Sequence, residues 1–306
     1  MSRNVALVLS SGGARGVAHI GVIEELIKSG YSITSIAGAS MGALVGGMVA
    51  KGTLPEFTEW LLSFSKMNVI KFMDLTMGHG GLIKGEKLVK VLEEFIGDVK
   101  IEDLLIPYAC VAADLIGHKE YVFDKGSLLL AIRASSSIPT VFLPVTLEGM
   151  MLVDGGVLNP LPLDVVKRTD GDILIAVNVN ANIPYKPAVI KPPQEDQENF
   201  YSRIRATINE KWSEVIDHYV EKHKNGNEPK PKPVNMFDVI SDSVILGQNK
   251  IAGTYIEKYK PDVLVETSVN IASIFDFDKS EELIEAGRKA CRKALDGLEK
   301  KLLVNR

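Results

Sequence analysis

The stretch Ile36-Ala37-Gly38-Ala39-Ser40-Met41-Gly42-Ala43 constrains this chain more than any other. An uncharged apolar run ends in a serine held between two glycines, and a run of small residues comes after it. This is a G-x-S-x-G turn, in which a strand passes abruptly into a helix and the serine side chain is pushed outward. The flanking glycines leave space where side chains would collide with a strained turn. A helix beginning just after Ser40 also aims free N–H groups at the space above the hydroxyl. Upstream, residues 4–9 read as a strand, 10–16 as a glycine-rich loop and 17–29 as a helix, with Val22, Ile23, Leu26 and Ile27 at helical spacing. Gly30 is placed to end that helix, and residues 35–39 form the next strand. A β-α-β unit of this size dictates a parallel sheet with a right-handed crossover, so the fold class is α/β.

The rest of the chain extends the pattern. Helices are predicted over 41–51, 55–64, 86–96, 127–135, 198–220, 236–259 and 281–303. Strands are predicted over 108–113, 120–123, 151–153, 172–179 and 263–266, the β-branched run 172–179 as a central parallel strand. After Asn180 the composition changes. Pro184, Pro187, Pro192 and Pro193 rule out a helix there, and residues 221–234 are polar and proline-punctuated. The strand at 263–266 is expected to rejoin the same sheet. We therefore read residues 1–306 as one domain with an excursion at about 181–234. Uncharged residues 33–50 approach the length of a membrane span, but Gly, Ala and Ser dominate them, which suits a strand, a turn and a buried helix better. The apolar run at 5–9 is too short for a signal peptide. A net charge of −4 gives no case for nucleic acid as partner. Cys110 and Cys291 supply neither a disulfide framework nor a zinc pattern, which points to a reducing, cytoplasmic setting.

Three places could carry chemistry. Ser40 is a candidate nucleophile. The loop Ser10-Ser11-Gly12-Gly13-Ala14-Arg15-Gly16 follows a strand and opens a helix, so its amides converge where an anion binds well. Ser11 stands where a dinucleotide fingerprint needs its first glycine, and no G-K-[ST] is present for a P-loop. A set of oxyanion donors beside Ser40 and a plain glycine turn both remain open. The third is Asp154, at the end of an apolar strand before Gly155 and Gly156. It is either a simple Asp-Gly turn or a general base acting on Ser40 directly. In the second case burial must raise its pKa. His19, His79, His118, His218 and His223 all lack the context of a catalytic base.

The glycine loop with Arg15, the G-x-S-x-G turn and Asp154-Gly155-Gly156, in this order, resemble the patatin-like phospholipases, in particular their compact bacterial branch. Further blocks agree: residues 15–22, Ser135-Ser136-Ser137-Ile138-Pro139, 154–162 and Lys260-Pro261-Asp262-Val263. The resemblance implies a three-layer α/β/α fold with a mostly parallel central sheet. It implies a catalytic dyad of Ser40 and Asp154, an oxyanion hole from the Gly12, Gly13 and Ala14 amides, and Arg15 supporting that loop. It implies hydrolysis of fatty-acyl esters of lipids such as (lyso)phospholipids through an acyl-enzyme, with no metal or other cofactor. Other uses of the same scaffold are a thioesterase, a general carboxylesterase and a non-catalytic lipid-sensing adaptor. Ser11 departs from the family's run of three glycines. The apolar stretch Met67, Val69, Ile70, Phe72, Met73, Leu75 and Met77 reads either as a lid or acyl-chain wall or as core packing. Arg288, Lys289, Arg292 and Lys293 offer a peripheral contact with anionic lipid or a solvated helix face.

Overall fold

The computed structural model describes residues 3–63, 86–185 and 236–304. The elements are, in chain order, β1 (Asn4–Leu9), α1 (Ala18–Lys28), β2 (Ser32–Ala39), α2 (Met41–Lys51), α3 (Leu54–Leu62), α4 (Glu86–Ile96), β3 (Tyr108–Asp114), β4 (Lys119–Phe123), α5 (Leu128–Ser135), β5 (Val145–Leu147), β6 (Met150–Asp154), β7 (Ile173–Ala181), α6 (Met236–Tyr259), β8 (Val263–Ser268) and α7 (Ser280–Val304). They build a mixed α/β structure around one sheet of order β5-β6-β3-β2-β1-β7-β8, with β4 on the other edge of β3. The five strands from β3 to β8 run parallel. β4, β5 and β6 are antiparallel additions.

Alternation along β1 shows how the layers form. Val5, Leu7 and Leu9 join the larger core with residues of α1, α2, α5 and α7, while Ala6 and Val8 join a second core with Leu161, Leu163, Val166 and Ala252 of α6. A strand with both faces covered is apolar throughout, which is why β1 reads as an unbroken hydrophobic run. Helix α2 is buried on nearly every side. That settles the uncharged stretch 33–50 as β2, a turn and α2, and among the described residues no helix is long and apolar enough to cross a membrane. α7 crosses α1 with the backbones almost touching: a Cβ on Gly21 would stand 1.8 Å from the Ile284 carbonyl oxygen. Arg288 pairs with Glu24 at 2.7 Å and Arg292 with Glu25 at 2.8 Å across this crossing. Those two arginines thus serve the helix packing.

The pairing of β3 brings two distant strand ends together. Cys110 and Val111 pair with both β2 and β4, and Ala112 to Asp114 with both β4 and β6. β2 and β6 therefore share one edge of β3 and approach from opposite directions. β2 ends with Ala39 opposite Val111, and β6 ends with Asp154 opposite the next residue, Ala112. The chain leaves the sheet from both ends at that point.

Candidate active site

Ser40 is the first residue off β2. Its φ of 54° and ψ of −121° are strained for any side chain, and α2 begins immediately after it. Both flanking glycines are forced by close packing. A Cβ on Gly38 would stand 2.4 Å from the Gly42 carbonyl oxygen, and one on Gly42 2.3 Å from that of Leu9. The serine block after α5 then clamps the two strand ends. The Ser40 N–H donates to Ser135 Oγ at 2.9 Å, and the Asp154 N–H donates to the Ser137 carbonyl at 2.9 Å.

Asp154 is buried, 4% exposed. Its Oδ1 accepts from the Gly156 N–H at 2.8 Å, while Oδ2 has no partner in hydrogen-bond geometry. Burial pushes the carboxyl from 3.8 up to about 6, against the opposing pull of the Ser40 hydroxyl and the Gly156 amide. The hydroxyl thus lies within influence of the carboxyl but off the alignment of a full hydrogen bond, as is common where no substrate is bound.

The glycine loop lies over the same point. Gly13 takes φ 54° and packs against Ile274, leaving no room for a Cβ. The Ala14 N–H donates to the Ile274 carbonyl at 2.9 Å. Of the three amides expected as oxyanion donors, Ala14 is therefore already engaged, and Gly12 and Gly13 donate to no acceptor among the described residues. Arg15 is buried beneath the loop. Its Nε donates to Asn180 Oδ1 at 2.8 Å and its Nη1 to the Ala272 carbonyl at 3.2 Å. Asn180 Nδ2 in turn donates to the Ser11 carbonyl at 2.7 Å. Desolvation lowers the Arg15 pKa to about 10, opposed by Asp276 and Asp242, so the guanidinium stays charged at neutral pH.

Two cavities meet at this point, and Gly13, Ser40, Ile138 and Ile274 line both. The first, about 640 Å³, is bordered by Ser11, Gly12, Arg15, Asp154 and Gln248. The second, about 930 Å³, is walled by Leu44, Phe57, Trp60, Leu88, Leu92 and Phe142 and is almost wholly apolar.

His19 is buried with Nε2 2.9 Å from the Ser10 carbonyl, and burial lowers its pKa to about 4. It packs as a neutral ring away from the cavities. His118 sits at φ 51° in the turn between β3 and β4. His79, His218 and His223, the stretch 67–77 and residues 186–234 of the excursion lie outside the described residues. Among the described residues, no three His, Cys, Asp or Glu side chains gather closely enough to hold a metal ion. Sequence reasoning did not find Asn180, Gln248 or Ile274, and singled out Ser135 and Ser137 without a role.

A family model described as patatin-like phospholipase matches residues 7–167, more than half of the chain. The chain belongs to the patatin-like phospholipase family. An uncharacterised NTE family protein of Mycobacterium tuberculosis is 32% identical across 97% of this chain and 93% of its own length. The neuropathy target esterase of Drosophila melanogaster is 32% identical over 58% of this chain and 13% of that protein. A lysophospholipase of Debaryomyces hansenii is 33% identical over 59% of this chain and 12% of that protein. Among solved structures, VipD from Legionella pneumophila aligns with 95% of this chain and 66% of its own, at 16% identity and a TM-score of 0.44. As a patatin-like phospholipase, the protein is a hydrolase of the lipid-esterase class.

Proposed function

We propose that the protein hydrolyses fatty-acyl esters of lysophospholipids and related lipids, with Ser40 as nucleophile and Asp154 as its base. The observation that carries this reading is that the two residues line one cavity where it opens into a second, apolar one. Asp154, held near a pKa of 6, takes the Ser40 proton as the hydroxyl oxygen attacks the ester carbonyl. The oxyanion of the tetrahedral intermediate rests on the Gly12 and Gly13 amides, each such donor lowering the barrier by roughly 3 kcal/mol. The acyl chain occupies the cavity walled by Leu44, Phe57, Trp60 and Leu92. The alcohol leaves through the cavity bordered by Asp154 and Gln248, taking the proton from Asp154. Water, deprotonated by the same carboxylate, then attacks the acyl-enzyme and frees the fatty acid.

Arg15 holds the loop rather than reacting. Its bonds to Asn180 and Ala272 keep the glycine amides above Ser40. A lipid-class hydrolysis panel run beside Ser40→Ala, with fluorophosphonate labelling mapped by mass spectrometry, tests the reading. The expected result is turnover of long-chain monoacyl lipids, label on Ser40, and loss of both in Ser40→Ala. Label on another serine, or undiminished turnover in Ser40→Ala, overturns it. A preference for short water-soluble esters or for thioesters would leave the pair in place and replace the substrate class.

A further inference from the structure

Ser11 stands out once the loop's bonds are traced. Its backbone is fastened on both sides: the N–H donates to the Pro160 carbonyl at 2.9 Å, and its own carbonyl accepts from Asn180 at 2.7 Å. The side chain is 2% exposed, yet its hydroxyl has no hydrogen-bond partner. A buried hydroxyl without a partner is uncommon in a folded protein. Ser11 borders the same cavity as Ser40 and Asp154, and so does Gln248 of α6. The two polar ends converge over Gly156. A Cβ placed on that glycine would stand 2.8 Å from Ser11 Oγ and 2.7 Å from Gln248 Nε2. The Gly156 N–H also holds Asp154 Oδ1. Asp154, Ser11 and Gln248 thus border one cavity, and Gly156 lies beside all three.

We infer that Ser11 and Gln248 recognise a free hydroxyl on the carbon next to the ester-bearing carbon of the leaving alcohol. This rests on the function proposed above. Asp154 must protonate the departing oxygen, so that oxygen lies against the carboxyl. In a monoacyl glycerol-type lipid the neighbouring hydroxyl comes next, and Ser11 and Gln248, which meet over the glycine that holds the Asp154 carboxylate, border the same cavity. A serine hydroxyl donates and accepts, and a glutamine amide nitrogen donates, so the pair satisfies a substrate hydroxyl in both senses. A substrate acylated or alkylated at that oxygen brings no donor and adds bulk above Gly156. The site therefore selects monoacyl lipids over their blocked counterparts. The departure of Ser11 from a glycine run is the sequence trace of this selectivity.

The test compares kcat/KM for 1-acyl-glycerophosphocholine and its 2-O-methyl ether, using wild type, Ser11→Ala and Gln248→Leu. Wild type should favour the free hydroxyl by roughly tenfold or more, because a site built around a substrate hydroxyl leaves its own polar groups unpaired with an analogue lacking it. Each variant should cut that preference at least about fivefold, a ratio that a general loss of loop stability does not move. Gln248, on a separate element, keeps the test sound if Ser11→Ala disturbs the loop. Equal turnover of the two lipids by wild type, or an unchanged preference in both variants, overturns this inference and leaves the dyad intact. No turnover of any acyl ester by wild type overturns the function with it.

Discussion

Replacing Asp154 by Asn should stabilise the fold in neutral solution while removing hydrolysis. The folded protein holds the Asp154 proton more tightly than the unfolded chain, because burial lifts the carboxyl from 3.8 to about 6. Below the unfolded value both states are protonated and nothing is lost. As pH rises through the folded value, ionisation of a buried carboxylate works against the native state. At about 1.4 kcal/mol per pH unit, the full displacement amounts to about 3 kcal/mol above pH 7. An asparagine keeps an oxygen for the Gly156 N–H, bonded at 2.8 Å in the native site, and does not ionise. Urea unfolding should therefore show the variant's advantage growing by about 1.5 kcal/mol between about pH 5 and about pH 8. The growth is the diagnostic quantity, since any constant penalty of the amide cancels. The same displacement sets the rate profile of the wild type. kcat/KM for an acyl ester should climb about tenfold per pH unit up to about pH 6 and then level off. A pH-independent difference in stability, with activity flat down to about pH 5, would refute an elevated pKa at Asp154.

The packing supports two further tests. Ser135→Ala strands the Ser40 N–H in the interior, where an unpartnered donor costs about 1–3 kcal/mol, so urea stability should fall by that amount and turnover with it. Unchanged stability and turnover would show that the Ser135 hydroxyl does not hold the turn. Gly42→Ala pushes a methyl group to 2.3 Å from the Leu9 carbonyl oxygen and should cost more than about 2 kcal/mol, whereas Gly247→Ala, in open space on α6, should stabilise by up to about 1 kcal/mol. Equal effects at the two glycines, measured by thermal or urea unfolding, would refute the close approach of α2 to β1.

Most element positions were legible because each carries a strong local signal. The unbroken apolar run of β1, the small-residue run of α2 after Ser40 and the β-branched run of β7 all fall within a few residues of the predicted spans. α1 starts one residue later than the periodicity suggests, because the chain first winds through a tighter turn over Gly13–Val17. β5 was missed. It has three residues, only enough to pair with β6 across the Glu148-Gly149 turn, and so short a run carries no periodicity. The turn that carries Ser40 was legible because its backbone demands are local: a serine at positive φ needs glycines within two positions. The rest of the site is not local. Ala14 loses its amide to Ile274, and Arg15 finds its partners at Asn180 and Ala272, all far along the chain. No window of sequence around the loop contains that information.

On the function proposed above, the edge of β3 is what would let a serine and a carboxylate suffice without a histidine. A base on a distant loop needs an intermediary to carry its effect to the hydroxyl, and an exposed aspartate would be too weak to act alone. Here β2 and β6 run toward each other along one strand edge and stop on consecutive residues of β3, so the two side chains leave the sheet at the same place. The meeting point is covered by the glycine loop and α5, and the solvent this excludes is what raises the carboxyl toward neutrality. Proximity and basicity thus come from a single topological feature. The antiparallel β6 is the part that departs from a simple parallel α/β sheet. Had β6 run parallel to β3 along the same edge, its last residue would lie opposite Asp114, away from the end of β2 instead of facing it. The reversal of one short strand is what brings the Asp154-Gly155 turn to face the end of β2 at Ser40.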